Sequence, residues 1–117
     1  MTKPVIDPDV RLVTPDDADD LAQLELLELE ARSAVQDQRG GERWLIEHQR
    51  IGPAWTELVR RRSTDVAVAH IGPVVVGYLV ADLGEDRILR IDQVWVTPEA
   101  RENGFGDALV EFVVERA

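Results

Sequence analysis

Residues 94–109, Val-Trp-Val-Thr-Pro-Glu-Ala-Arg-Glu-Asn-Gly-Phe-Gly-Asp-Ala-Leu, constrain the fold more than any other stretch of the chain. A β-type run from Arg87 to Val96 stops at Thr97-Pro98, a polar turn follows, and Gly104-Phe105-Gly106 opens a helix with an apolar period. The fold must therefore contain a strand that turns through glycines into a helix N-terminus. Such a junction suits a phosphate. The first N–H groups of a helix lack intrahelical partners, the helix dipole adds positive potential, and glycine lets a ligand approach the main chain. Arg101 stands three residues ahead of Gly104, placed to add a charged donor.

Two phosphate loops can be tested against this string. The Walker pattern needs a lysine directly after its second glycine, and Gly106 is followed by Asp107, so that pattern is excluded. The dinucleotide fingerprint needs a glycine or alanine three residues after the second glycine, where this chain has Leu109. The string instead resembles motif A of the GNAT family of N-acetyltransferases, Val-x-Pro-x-x-Arg-x-x-Gly-x-Gly, through Val96, Pro98, Arg101, Gly104 and Gly106. The structural alternative is an ordinary strand-to-helix connection with glycines for tightness; matches at all five positions argue against it. The resemblance implies that the turn holds the pyrophosphate of acetyl-coenzyme A and that the end of the preceding strand pairs with the pantetheine arm. On that reading Val94, Trp95, Val96, Arg101, Glu102, Asn103, Gly104, Phe105, Gly106 and Asp107 form the cofactor site. Glu102 and Asp107 depart from the family habit of glycine, basic or small hydroxyl residues, and carboxylates beside a pyrophosphate repel it.

Length and composition set the outer limits. At 117 residues the chain is one domain, 1–117, with a modest core, and 44% hydrophobic content is that of a globular protein. No apolar run is long enough to span a membrane and the N-terminus has no signal-peptide pattern, so the expected location is cytoplasmic with no membrane partner. With no cysteine, thiol catalysis and zinc-thiolate sites are excluded; His48 and His70 are too far apart in sequence to suggest a metal site. A net charge of −10 argues against nucleic acid and would draw in cations such as amines, although acidity also serves solubility alone.

The order of elements follows from periodicity and turn chemistry. A short strand near Val10–Val13 leads to Thr14-Pro15-Asp16-Asp17, a helix start with Thr14 as N-cap. Leu21, Leu24, Leu27, Ala31 and Ala34 mark the buried face of that helix, which ends at Gln38-Arg39-Gly40-Gly41. Trp44, Leu45, His48 and Ile51 suggest a second helix, interrupted at Gly52-Pro53 and continued through Trp55, Leu58 and Val59 to Arg60-Arg61-Arg62. Val66, Val68 and His70 alternate with Ala67 and Ala69, Gly72-Pro73 turns the chain, and Val74–Ala81 and Arg87–Val96 complete a three-strand antiparallel meander. Gly77, inside the second of these strands, marks a bulge or a close backbone approach. The last helix buries Ala108, Leu109, Phe112 and Val113.

The expected fold is therefore α+β, a mixed and mainly antiparallel sheet flanked by helices in the order β-α-α-β-β-β-α. This is similar to the first two-thirds of the GNAT domain, which continues with a fifth strand. The resemblance implies that the chain stops short of that strand and is a fragment of a longer chain, a truncated product, or a part completed by another subunit or a homodimer. It also implies direct attack of a neutral amine on the thioester of acetyl-coenzyme A, with a main-chain N–H near Val94–Val96 polarising the carbonyl. The usual acid lies on a fourth helix beyond Ala117, and Tyr78, the only tyrosine, is not assigned that role. The base would be Asp92, an acid in an otherwise apolar strand, if burial makes it a usable proton acceptor; otherwise Asp92 is a solvent-face charge or a partner of Arg90 or Arg87. An acceptor site would lie along the first two helices, where Trp44 and His48 share a face that could line it, although core packing of an aromatic stripe is the favoured reading of that pair. The alternatives to an acetyltransferase are a non-catalytic acyl-coenzyme A-binding regulatory domain and a structural interaction fragment.

Overall fold

Val66, Val68 and the alternating Ala67 and Ala69 are all buried, so the strand that carries them has helices on both faces. The computed structural model describes residues 8–117. Its sheet comprises β1 (Asp9–Leu12), β2 (Thr64–Ile71), β3 (Val74–Leu83) and β4 (Leu89–Val96), all antiparallel, in the order β1-β2-β3-β4. The helices are α1 (Ala18–Gln36), α2 (Gly41–Glu47), α3 (Trp55–Arg60) and α4 (Phe105–Arg116), with 3₁₀ turns at Gly52–Ala54 and Pro98–Asn103. The expected mixed α+β fold is present, with one helix more than expected because α3 is separate from α2. Among the described residues no helix is long and apolar enough to cross a membrane.

Each face of the sheet has its own core. Phe105, Leu109 and Val113, spaced by four on α4, pack against Ala67, Ala69, Leu79 and Ala81; the alanines let the helix lie close. Leu24 and Leu27 of α1 and Trp55 of α3 cover Val66, Val68, Tyr78 and Val80 on the other face. Burying a side chain such as Leu24, Leu79 or Leu109 contributes about 1.5–3 kcal/mol before the entropy of ordering is charged against it. Gly72, at φ +58, supplies the left-handed position of the two-residue β2–β3 hairpin.

Two local expectations change. Thr14 does not cap α1: the Asp17 carboxylate accepts bonds from the Thr14 N–H (2.9 Å) and hydroxyl (3.2 Å), closing a turn, and the helix begins at Ala18. The second helix does not reach Ile51 but ends at Glu47. Glu28, fully buried on α1, accepts the N–H groups of Ile51 (2.7 Å) and Gly52 (2.8 Å) and so holds the 3₁₀ turn against α1. A second buried polar contact joins β2 to α1, where His70 Nε2 donates to Asp20 at 2.8 Å and Arg11 reaches the same carboxylate at 3.5 Å.

Candidate active site

The glycine turn is built from the core outwards. Buried Ala100 anchors the 3₁₀ segment, buried Phe105 anchors the first residue of α4, and Gly104 between them takes φ +76, a conformation that excludes most side chains. The first helical bond runs from the Ala108 N–H to the Gly104 carbonyl at 3.0 Å, and among the described residues no side chain caps the helix. The N–H groups of Phe105, Gly106 and Asp107 are thereby left to an outside partner. Gly106 is more telling than Gly104. Its φ is not positive, and a methyl group there would meet only Val96 Cγ2 at 3.9 Å, an ordinary contact. Among the described residues nothing requires glycine at position 106, whereas a group approaching the main chain from outside would. The residues fit a phosphate-bearing ligand such as coenzyme A.

The charged residues around the turn are arranged differently from the sequence expectation. Glu102, Asn103 and Asp107 are exposed, so both carboxylates have water around them. Arg101 is turned to β4: its Nε donates to the Val96 carbonyl at 2.9 Å and its guanidinium lies 4.5 Å from the centre of the Trp95 ring.

β4 ends beside this turn, and its ladder is irregular at one place. Val80 pairs with Gln93 and Ala81 with Ile91, so Asp92 is the extra residue of a β-bulge. After the bulge, the Thr97 N–H bonds the Val76 carbonyl at 2.8 Å. Alternation along the strand then turns the N–H and C=O groups of Val94 and Val96 away from β3, to the edge that is free among the described residues. Gly77 allows the close approach here, since a methyl group on it would lie 2.9 Å from the Trp95 carbonyl oxygen. Asp92 is exposed, which corrects the expectation of a buried carboxylate. It also lacks the arginine partners considered for it: Arg90 pairs with Asp86 at 2.8 Å, and among the described residues no cation lies within 4.0 Å of Asp92.

A cavity of about 260 Å³ opens between α1, α2 and β4, and Asp92, Val94 and Trp95 line it with Arg32, Trp44 and Tyr78. Tyr78 is fully buried and its hydroxyl donates to Gln93 Oε1 at 3.3 Å. Burial, reinforced by the Glu28 charge and opposed by Arg32, pushes the Tyr78 phenol well above its ordinary range. Trp44 is half-buried in the cavity wall, and the exposed His48 ring stacks on it at 4.4 Å and 11° while its Nδ1 donates to the Trp44 carbonyl at 2.9 Å. The pair therefore belongs to the cavity rim, and the core tryptophan is Trp55. The sequence reading missed Arg32 and Gln93. Arg32 follows Ala31 of the buried stripe and lies four residues after Glu28, a charged pair on a buried helix edge that could have signalled it.

Comparisons with known proteins bear on the family and the fold. The family model described as the acetyltransferase (GNAT) family matches residues 21–117. A ribosomal-protein-alanine N-acetyltransferase from Brucella melitensis biovar Abortus 2308 is similar in structure, with a TM-score of 0.67 and 18% identity over 96% of this chain and 73% of that one. An aminoglycoside acetyltransferase from an uncultured soil metagenomic sample, in complex with sisomicin, gives 0.66 and 16% over 92% and 68%. AAC(6')-Iy, in complex with the bisubstrate analogue CoA-S-monomethyl-acetylneamine, gives 0.64 and 14% over 94% and 71%. At these identities the likeness is one of fold, and comparison with curated proteins finds no match. The family match spans the helices, the meander and the glycine turn alike, and the chain belongs to the acetyltransferase (GNAT) family.

Proposed function

We propose that this protein transfers the acetyl group of acetyl-coenzyme A to a primary amine by direct attack of the amine on the thioester. The observation that carries the reading is Gly106, a glycine the fold does not need, in the uncapped first turn of α4. Acetyl-coenzyme A supplies the activated acyl group. The N–H groups of Phe105, Gly106 and Asp107 would hold its pyrophosphate, with Glu102, Asn103 and Gly104 forming the rim of the same turn. The outward main chain of Val94 and Val96 would receive the pantetheine arm, and one of these N–H groups would polarise the thioester carbonyl. Arg101 would join the phosphate only after releasing the Val96 carbonyl that it holds.

Asp92 is the candidate base. Exposed, it lacks the burial that a strong direct base would need; standing out of the β4 ladder beside the cavity, it can instead relay the proton of the substrate ammonium to solvent water before the neutral amine attacks. Calorimetric titration with acetyl-coenzyme A is the direct test, with Gly104→Glu as control. Micromolar binding that is lost in the variant supports the reading; a folded chain that takes up no acetyl-coenzyme A refutes it. Amine-dependent release of the coenzyme A thiol then separates an enzyme from an acyl-coenzyme A-binding module.

A further inference from the structure

We infer that the acceptor of this site is a small monoamine carried on an apolar, preferentially aromatic body, and that the cavity disfavours polyamines. This rests on the proposed acetyltransferase reading and narrows its acceptor. The cavity offers one carboxylate, Asp92, exposed and free of a cationic partner among the described residues, to a single ammonium group. Beside it stands Arg32, whose guanidinium donates to the carbonyls of His48 (2.6 Å) and Leu45 (3.3 Å) and has no carboxylate within 4.0 Å among the described residues. A second positive charge on the acceptor would meet that guanidinium.

The remaining wall is mostly apolar, with the rings of Trp44, Trp95 and Tyr78 set among Ala31, Val35 and Val94, and its two indoles are already held in place. His48 stacks on Trp44, and Arg101 lies on Trp95, so neither indole must be ordered when a ring is bound. A volume of about 260 Å³ lies below the span of roughly 300–1,000 Å³ that drug-sized ligands occupy. The net charge of −10 attracts every cation at long range, so discrimination has to come from the cavity itself.

The test is direct binding of 2-phenylethylamine, spermidine and sisomicin to the chain by calorimetry or ligand-observed NMR, without acetyl-coenzyme A. Salt is set at about 0.15 M to screen the long-range field. The expected result is that 2-phenylethylamine binds at least about tenfold more tightly than either polyamine, and that Trp44→Ala weakens it by about tenfold. Trp44→Phe should restore most of that loss, and Asp92→Asn, at an exposed position, should weaken binding without disturbing the fold. Tighter binding of spermidine or sisomicin overturns the inference, as does binding of 2-phenylethylamine that Trp44→Ala leaves unchanged, or binding of no amine. In each of these cases acetyl-coenzyme A uptake measured on the same sample leaves the acetyltransferase reading standing. Loss of acetyl-coenzyme A uptake with 2-phenylethylamine still bound would remove that reading and keep the monoamine site.

Discussion

Replacing Gly106 by alanine should make the protein more stable and its cofactor site worse. Gly106 has an ordinary helical φ in the first turn of α4, and among the described residues the added methyl would touch only Val96 Cγ2, at 3.9 Å. Gly→Ala at a site that accepts a side chain gains about 0.4–1 kcal/mol, chiefly by restricting the unfolded chain. For a domain of this length that corresponds to a rise in Tm of about 2–8 °C. The same methyl would stand off a phosphate from the N–H groups of Gly106 and Asp107. Loss of one charge-assisted bond of about 1.5–3 kcal/mol is a fall in affinity of about 10- to 100-fold. Gly104→Ala is the counterpart: at φ +76 an alanine costs about 1–2 kcal/mol, so stability and affinity fall together. Thermal unfolding and calorimetric titration of both variants read the two quantities separately. Gly106→Ala that is more stable and binds acetyl-coenzyme A as well as the parent would show that nothing approaches the main chain there. Gly106→Ala that is less stable would show that the packing argument itself is wrong.

Gly77→Ala should lower the urea midpoint by the equivalent of about 1–3 kcal/mol, because its methyl would stand 2.9 Å from the Trp95 carbonyl oxygen and 3.1 Å from Val96 Cγ2. Glu28→Ala should cost about 2–4 kcal/mol by the same measurement, since it leaves the Ile51 and Gly52 N–H groups without their buried acceptor. Tyr78 is the only tyrosine, so ultraviolet difference titration reads it alone, and no phenolate should appear as pH passes the ordinary value of 10.0 while the chain stays folded. The unfolded chain does release that proton above pH 10.0, so the stability contributed by the raised pKa is complete below that pH and is lost above it; Tyr78→Phe should abolish that alkaline decline.

What the sequence disclosed and what it withheld divide along one physical line. Val66 to His70 alternate, Gly72-Pro73 can only turn, and Gly104-Phe105-Gly106 punctuates a strand-to-helix passage; each is a local constraint, and the meander and α4 follow from them. The α1 start was misread because Thr14 and Asp17 both have cap chemistry, and only the bond between them decides which residue turns the chain. The end of α2 was misread for a less local reason. Trp44, Leu45, His48 and Ile51 keep helical spacing, but the N–H groups of Ile51 and Gly52 are taken by Glu28, 23 and 24 residues away. Asp92 is the extreme case. A bulge is a mismatch of count between two strands, Val80–Ala81 against Ile91–Gln93, and neither strand alone records it. That mismatch moves the carboxylate out of the ladder to the cavity and fixes which main-chain groups beyond it face the free edge. Asp92→Asn therefore isolates the carboxylate: with the bulge intact and the side chain already in water, stability should change by no more than about 0.5 kcal/mol. Amine-dependent turnover should fall by about 10²-fold or more, and acetyl-coenzyme A affinity should not change. Unfolding curves, calorimetry and steady-state rates on one preparation measure all three, and turnover equal to the parent would remove Asp92 from the chemistry and leave the bulge as its only role.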